Sequence, residues 1–157
     1  MLTRLDRLVD EIAALHSKLI LLVGRSGCGK TVLLAELANR RGAKVMNVGA
    51  ALGKRLAALP QRQRALQAFV AMRELADEYA SGDLLLLDNI ELLFDQSLKL
   101  DPLDLLKRHA HARRVVAVWP GELRDGRLIH AEMGHPEYRD YGLDGLVPFE
   151  SESFGEG

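Results

Sequence analysis

Cysteine, aromatic residues and long apolar runs are scarce in this sequence. The scarcity of cysteine and the scarcity of long apolar runs each exclude a class of protein. The single cysteine, Cys28, excludes an internal disulfide framework and a cysteine-based zinc site. The apolar runs Leu19 to Val23 and Leu84 to Leu87 are too short to span a bilayer. The formal net charge is -1, so overall charge indicates no particular partner. We expect a soluble cytoplasmic protein that does not enter a membrane.

The chain has 157 residues, which suits one domain with a continuous core. We expect this domain to cover residues 1–149 and the acidic stretch 150–157 to be a flexible tail. Leucines at three- and four-residue steps predict an amphipathic helix over residues 1–16. Thr3 and Asp6 have the spacing of a capping box at its start.

Short apolar runs alternate with stretches of helical periodicity along the rest of the chain. Strands are predicted at 18–23, 44–48, 83–88, 114–118, 127–131 and 146–149, and helices at 31–41, 50–59, 60–79 and 103–110. Alternation of this kind is typical of a three-layer α/β fold with a parallel sheet. We expect the strand that ends at Asp88 not to be sequence-adjacent to the first strand.

A glycine-rich segment follows the first strand and has the pattern of a phosphate-binding loop. It reads Gly24-Arg25-Ser26-Gly27-Cys28-Gly29-Lys30-Thr31, which matches G-x-x-x-x-G-K-[ST] throughout, and we predict that all eight residues contact a nucleotide. Its glycines let backbone N–H groups approach phosphates closely. Lys30 is suited to the β- and γ-phosphates and Thr31 to Mg²⁺. With no N-K-x-D guanine motif, the sequence favours ATP with Mg²⁺.

The second half of the site is predicted at the end of the four-leucine strand. Asp88 ends that strand, where a carboxylate can hold Mg²⁺ beside the phosphate loop. Its neighbour is Asn89, which can orient water but cannot accept a proton. Glu91 is the nearest acid that could act as catalytic base, and Asp95 is the next. Lys30, Asp88 and Glu91 are therefore the predicted catalytic residues.

This pattern leaves several activities open. A slow ATPase is the leading hypothesis, and a nucleotide-dependent switch with negligible hydrolysis is the alternative that Asn89 suggests. A small-molecule kinase is less favoured, because the second strand ends without an acid that could accept a substrate proton. Trp119 follows the 114–118 strand, so a polar sensor of the γ-phosphate is not expected there.

Charged residues outside the loop give weaker indications. Candidates for an arginine finger are Arg113, Arg114, Arg124 and Arg139. Residues 37–73 contain basic but no acidic side chains, which indicates either a surface for DNA or ordinary solvated helix faces, with the second favoured. His130 and His135 fit no metal-binding spacing, and we expect them to make hydrogen bonds in loops.

Several segments together resemble a known family. They are GRSGCGKT, LLLLDNIELLFD, LDPLDLL, VVAVWPGE and GHPEYRDY. In this order they resemble BrxF, the family of small phosphate-loop proteins of type 3 BREX phage-defence systems, over roughly residues 2–149. The resemblance implies an ATPase-like bacterial protein that acts beside other BREX components to exclude phage DNA. Only residues 24–31 and Asp88 carry over as nucleotide and metal positions.

The chain also resembles an AAA-type core reduced in size. Nothing that follows Phe149 in the sequence could form the helical lid that such ATPases usually carry. A pocket without a lid leaves part of the nucleotide open to a neighbouring subunit. We therefore expect a homo-oligomer that responds to nucleotide.

Overall fold

A computed structural model describes residues 1–25, 29–130 and 139–150, with only the backbone described for Arg139. The predictions for Ser26, Gly27, Cys28 and His135 lie outside these residues. So does the predicted tail, except for Glu150, which forms the end of a strand rather than part of a tail.

Helices and strands alternate through the described residues. The helices are α1 (Leu2–Glu11), α2 (Lys30–Arg41), α3 (Val48–Ala57), α4 (Gln61–Tyr79) and α5 (Pro102–Ala112). The strands are β1 (Leu19–Val23), β2 (Val45–Asn47), β3 (Leu84–Asp88), β4 (Arg114–Val118), β5 (Gly121–Arg124), β6 (Arg127–His130), β7 (Arg139–Tyr141) and β8 (Val147–Glu150). Short 3-10 turns cover Ile12–Ala14, Ile90–Phe94 and Gln96–Leu98.

The central sheet is parallel and has the strand order β2-β3-β4-β1-β8. Strand β4 therefore lies between β1, which leads into the phosphate loop, and β3, which ends at Asp88. In the chain, β2 separates these two strands, so the Asp88 strand is not sequence-adjacent to the loop strand, as expected. Because the carboxyl ends of parallel strands share one edge of the sheet, the loop and Asp88 meet at that edge.

Each face of the central sheet is covered by helices, as the predicted three-layer fold requires. Side chains of β1 alternate between the faces: Leu21 packs in the core beneath α3, α4 and α5, whereas Leu22 packs in the core beneath α1 and α2. All five residues of β1 are fully buried. A strand buried on both faces reads as a continuous apolar run, which is why its position is visible in the sequence.

A second sheet, antiparallel and ordered β5-β6-β7, follows the end of β4. The sequence prediction found only β6 in this region. Strands β5 and β6 form a hairpin whose turn residues, Asp125 and Gly126, have φ angles of 52° and 73°. A two-residue Asp-Gly turn with positive φ is a strong hairpin signal, so the sequence did contain a clue to β5.

Two helix starts differ from their predictions. The capping box at Thr3 and Asp6 is wrong: α1 begins after Met1 without a side-chain cap, and Asp6 instead accepts a hydrogen bond from Arg41 Nε at 2.7 Å. Helix α3 begins at residue 48 rather than 50, because Asn47 Oδ1 accepts a hydrogen bond from the third residue after it. Asn47 is thereby fixed at the edge of the sheet that carries the phosphate loop.

Basic residues between positions 37 and 73 are largely satisfied within the fold. Arg55 pairs with Glu74 and Glu78 on the neighbouring helix α4, and Arg41 pairs with carboxylates of α1. Arg64 donates to two backbone carbonyls. The structure therefore favours ordinary helix faces over a basic surface. Within the described residues, every helix is too short or too polar to cross a membrane.

Candidate functional site

The phosphate loop joins β1 to α2, as its pattern predicts. Gly24 and Gly29 have φ angles of 144° and 90°, a conformation that side-chain-bearing residues rarely adopt. Gly29 is the N-cap of α2, so the positive dipole end of the helix lies beside Lys30 and Thr31. This arrangement suits the binding of phosphate.

Lys30 is buried at the centre of this edge, with 8% of its surface exposed. Its ammonium group donates to the carbonyl of Gly24 at 2.7 Å and to the carbonyl of Trp119 at 2.7 Å. These bonds connect the start of the loop to the end of β4. A buried ammonium needs such acceptors, and phosphate oxygens can serve in the same role with the added benefit of negative charge.

Thr31 and Asp88 line one cleft together with Lys30. Asp88 ends β3, and its carboxylate accepts a hydrogen bond from the backbone N–H of Asn89 at 2.8 Å. A hydroxyl and a carboxylate are hard oxygen ligands, which fit Mg²⁺. In the described part of the chain, no group of three or more His, Cys, Asp or Glu could hold a metal. Mg²⁺ usually takes its other ligands from phosphates and water.

Asn89 stands where a catalytic glutamate would act, and its amide group is held in place. The residue has a left-handed φ of 51°, and its Nδ2 donates to Asn47 Oδ1 at 2.9 Å. Its backbone carbonyl accepts a hydrogen bond from the N–H of Gly49 at 3.0 Å. These contacts fix the side-chain amide of Asn89. An amide group can orient a water molecule but cannot take its proton.

Glu91 is exposed and lines the cleft from the 3-10 turn after β3. Asp95, the second acid considered from the sequence, has a local structural role instead. Its carboxylate accepts hydrogen bonds from the N–H and the hydroxyl of Ser97, at 2.9 and 2.7 Å. Asp95 is also not among the residues that line the cleft. Of the two acids, only Glu91 lines the cleft.

The second sheet forms the opposite wall of the cleft, which the sequence prediction missed. Glu122 and Arg124 from β5 and His130 from β6 all line it. His130 Nδ1 lies 2.8 Å from the carbonyl oxygen of Pro120, and its ring stacks on Phe94 at 3.8 Å. The expected hydrogen bond is present, although His130 lies in a strand rather than a loop. The wall beyond Trp119 therefore carries polar side chains after all.

Two of the four arginine-finger candidates form ion pairs within the fold. Arg113 donates to Asp77 at 2.7 Å, and Arg114 donates to Asp83 at 2.6 Å. The hydrogen bond from Arg114 lowers the pKa of the Asp83 carboxyl below its usual value. Neither arginine lines the cleft, and Arg114 lies at the end of β4 opposite the phosphate loop. Both guanidinium groups therefore join parts of the fold together.

Of the other two candidates, Arg124 lines the cleft, and the side chain of Arg139 lies outside the described residues. The cleft measures about 980 Å³ and is open at its mouth. This volume is at the upper end of the range for small-molecule sites. A nucleotide therefore fits between the phosphate loop and the second sheet.

Residues 20–118 match the family model described as "ATPase family associated with various cellular activities (AAA)". The chain belongs to the AAA family. The matched range contains the phosphate loop and Asp88 and ends with β4. The match therefore covers a nucleotide-binding phosphate-loop domain, which is what this family shares. The second sheet of this AAA chain lies beyond the matched range.

One solved structure supports the fold of this AAA chain. C. elegans PCH-2 is 17% identical, with a TM-score of 0.51 over 96% of this chain and 41% of the other. The replication initiator DnaA bound to AMPPCP and single-stranded DNA is 20% identical, with a TM-score of 0.46 over 92% of this chain and 44% of the other. The AAA chain thus spans less than half of either protein. No curated protein matches it by sequence.

Proposed function

We propose that this AAA chain binds ATP with Mg²⁺ and hydrolyses it slowly. The observation that carries the proposal is the meeting of Lys30, Thr31 and Asp88 in one cleft at the N-terminus of α2. Lys30 and the exposed N–H groups of the loop hold the phosphates, and their positive charge stabilises the negative charge that develops during phosphoryl transfer. Thr31 and Asp88 would hold Mg²⁺, which would supply charge neutralisation to the phosphates.

Glu91 is the residue proposed to position the attacking water. It lines the cleft from the turn that follows Asp88, whereas the amide of Asn89 is held by Asn47. An exposed carboxylate three positions away is a less favourable base than an adjacent one, so slow turnover is expected.

Steady-state phosphate release tests hydrolysis. Wild type and Glu91→Gln are compared with and without DNA, and Glu11→Gln, an exposed acid on α1, is the matched control. We expect Glu91→Gln to reduce the rate by about 10²-fold or more, as for the loss of a general base, and Glu11→Gln to leave it unchanged. Equal rates in all three chains would rule out the role of Glu91.

A nucleotide-dependent switch with negligible hydrolysis is the second candidate. The fixed amide of Asn89 favours it, because an amide in place of a base preserves binding while slowing chemistry. Tight ATP binding without phosphate release above background, in the presence and absence of partners, would support the switch over the ATPase.

We further propose that nucleotide state controls assembly with other chains. The open mouth of the cleft leaves room for a neighbouring subunit, and the resemblance to BrxF supports a role in BREX phage defence with BREX proteins or DNA as partners. Mass measurement with and without ATP and Mg²⁺ tests self-assembly, and a monomer under both conditions is the contrary result. The defence role is tested by phage plating on cells that carry the Lys30→Ala variant in the complete BREX system. If the proposal is correct, these cells lose their protection against phage.

A further inference from the structure

We propose that Arg124 binds the terminal phosphate of a nucleotide in its own chain, and that Glu122 holds it ready when that phosphate is absent. This inference rests on the proposed nucleotide site and assigns to it a residue that distinguishes triphosphate from diphosphate. The action is in cis, unlike that of an arginine finger from a neighbouring subunit.

The two side chains form an ion pair at the wall of the cleft. Glu122 and Arg124 are two positions apart on β5, so they lie on the same face of the strand. The Arg124 guanidinium donates directly to the Glu122 carboxylate. Both residues line the cleft that also contains Lys30 and Asp88. Arg124 therefore lines the same cleft in which the proposed phosphates would lie.

Strand β5 is attached to the phosphate loop at its first residue. The N–H of Gly24 donates to the carbonyl of Gly121 at 3.2 Å. The indole N–H of Trp119 donates to the carbonyl of Ile129 at 3.0 Å. A Cβ on Gly121 would collide with that same carbonyl oxygen, so the hairpin packs too closely here for any side chain. The distance between Arg124 and the loop is thus set by direct backbone contacts.

The ion pair of Glu122 and Arg124 is weak enough for Arg124 to exchange Glu122 for another anion. Side-chain exposures of 57% for Arg124 and 30% for Glu122 mean that solvent weakens their attraction, and exposed pairs of this kind contribute little stability. A terminal phosphate offers more negative charge and accepts two parallel hydrogen bonds from a guanidinium. Bound triphosphate should therefore displace Glu122 as the partner of Arg124. ADP lacks that phosphate group and should leave the pair intact.

The test is the ratio of the dissociation constants for ADP and for ATP, measured by calorimetry with Mg²⁺ at a concentration where the protein is monomeric. Arg124→Ala should weaken ATP binding about 10-fold or more, as for the loss of a charge-assisted pair, and change ADP binding less than about 2-fold. Arg127→Ala is the matched control, since Arg127 pairs with Asp140 on the same sheet and does not line the cleft. Its ratio should equal that of wild type.

Glu122→Gln removes the resting partner without removing the arginine, so its ATP affinity should be equal to or higher than that of wild type. If Arg124→Ala does not fold, Arg124→Gln replaces it, with the same expected loss confined to ATP. The cis role of Arg124 would be overturned by equal losses of affinity for ATP and ADP, or by no loss of affinity for either. It would also be overturned by a loss of affinity that is seen only in the assembled state. A wild-type chain that binds neither nucleotide would overturn the proposed function itself.

Discussion

Two glycines of helix α3 should respond in opposite ways to the same substitution. A Cβ added at Gly53 would lie 3.7 Å from Leu92 Cδ2, an ordinary contact. A Cβ added at Gly49 would lie 2.6 Å from Asn89 Nδ2 and 3.2 Å from its Cγ. Gly49→Ala must therefore push the Asn89 amide away from Asn47, to which it donates at 2.9 Å.

The size of the difference follows from these contacts. Replacing glycine by alanine in a helix stabilises the folded state by about 0.5–1 kcal/mol, and Gly53→Ala should obtain this gain. Gly49→Ala has a similar backbone gain at most, but it loses a hydrogen bond of about 0.5–1.5 kcal/mol. It also forces Asn89 off its rotamer, at a cost of about 0.5 kcal/mol for this partly exposed side chain. We expect Gly49→Ala to be about 1–2 kcal/mol less stable than Gly53→Ala.

Urea unfolding followed by the fluorescence of Trp119, the single and fully buried tryptophan, measures this difference. With an m-value of about 2 kcal/mol/M, the two midpoints should differ by about 0.5–1 M. Equal stabilisation by both substitutions would refute the reasoning. It would mean that the Asn89 amide can move freely, and the argument that this group is fixed at the site would fail.

Three further predictions concern the metal, the second sheet and acid stability. Asp88→Asn should reduce the gain in ATP affinity on adding Mg²⁺ by about 10-fold, since it removes a charged ligand; an unchanged gain would contradict the metal assignment. Gly121→Ala should destabilise the fold by about 1–3 kcal/mol because it overpacks the hairpin, and a wild-type melting temperature would contradict this. Burial lowers the pKa of His109 below its usual 6.5, and the charge of Arg113 has a smaller effect in the same direction. The unfolded chain therefore binds a proton at this histidine more readily than the folded chain does. As a result, the free energy of unfolding decreases as the pH drops below about 6.5. His109→Leu should lose less unfolding free energy than wild type between pH values of about 7.5 and 5.5, and equal losses would contradict the prediction.

Local patterns in the sequence were enough to predict the phosphate loop and the parallel central sheet. The loop is a contiguous motif, and the buried strands appear as continuous apolar runs, so neither depends on distant residues. The hairpin of β5 and β6 was missed in part because β5 is short and half polar, with Glu122 and Arg124 facing the cleft. Only the turn at Asp125 and Gly126 marks it in the sequence.

Interactions between distant residues decide what the charge pattern leaves open. Arg113 was considered for catalysis, but it pairs with Asp77, which lies 36 positions earlier. Arg55 suggested a basic surface, but it pairs with carboxylates 19 and 23 positions later on α4. Charge patterns along the chain cannot show such pairs, because folding determines which side chains meet.

Binding of ATP to the phosphate loop is the central claim, and Lys30→Ala tests it most directly. Lys30 is buried and donates to the carbonyls of Gly24 and Trp119, so the melting temperature of the variant is measured first to establish that it folds. Calorimetric titration with ATP and Mg²⁺ should then show binding by wild type and an affinity at least about 10²-fold lower in the variant, because charge-assisted bonds to phosphate are lost. A folded Lys30→Ala chain with undiminished ATP affinity would contradict the account.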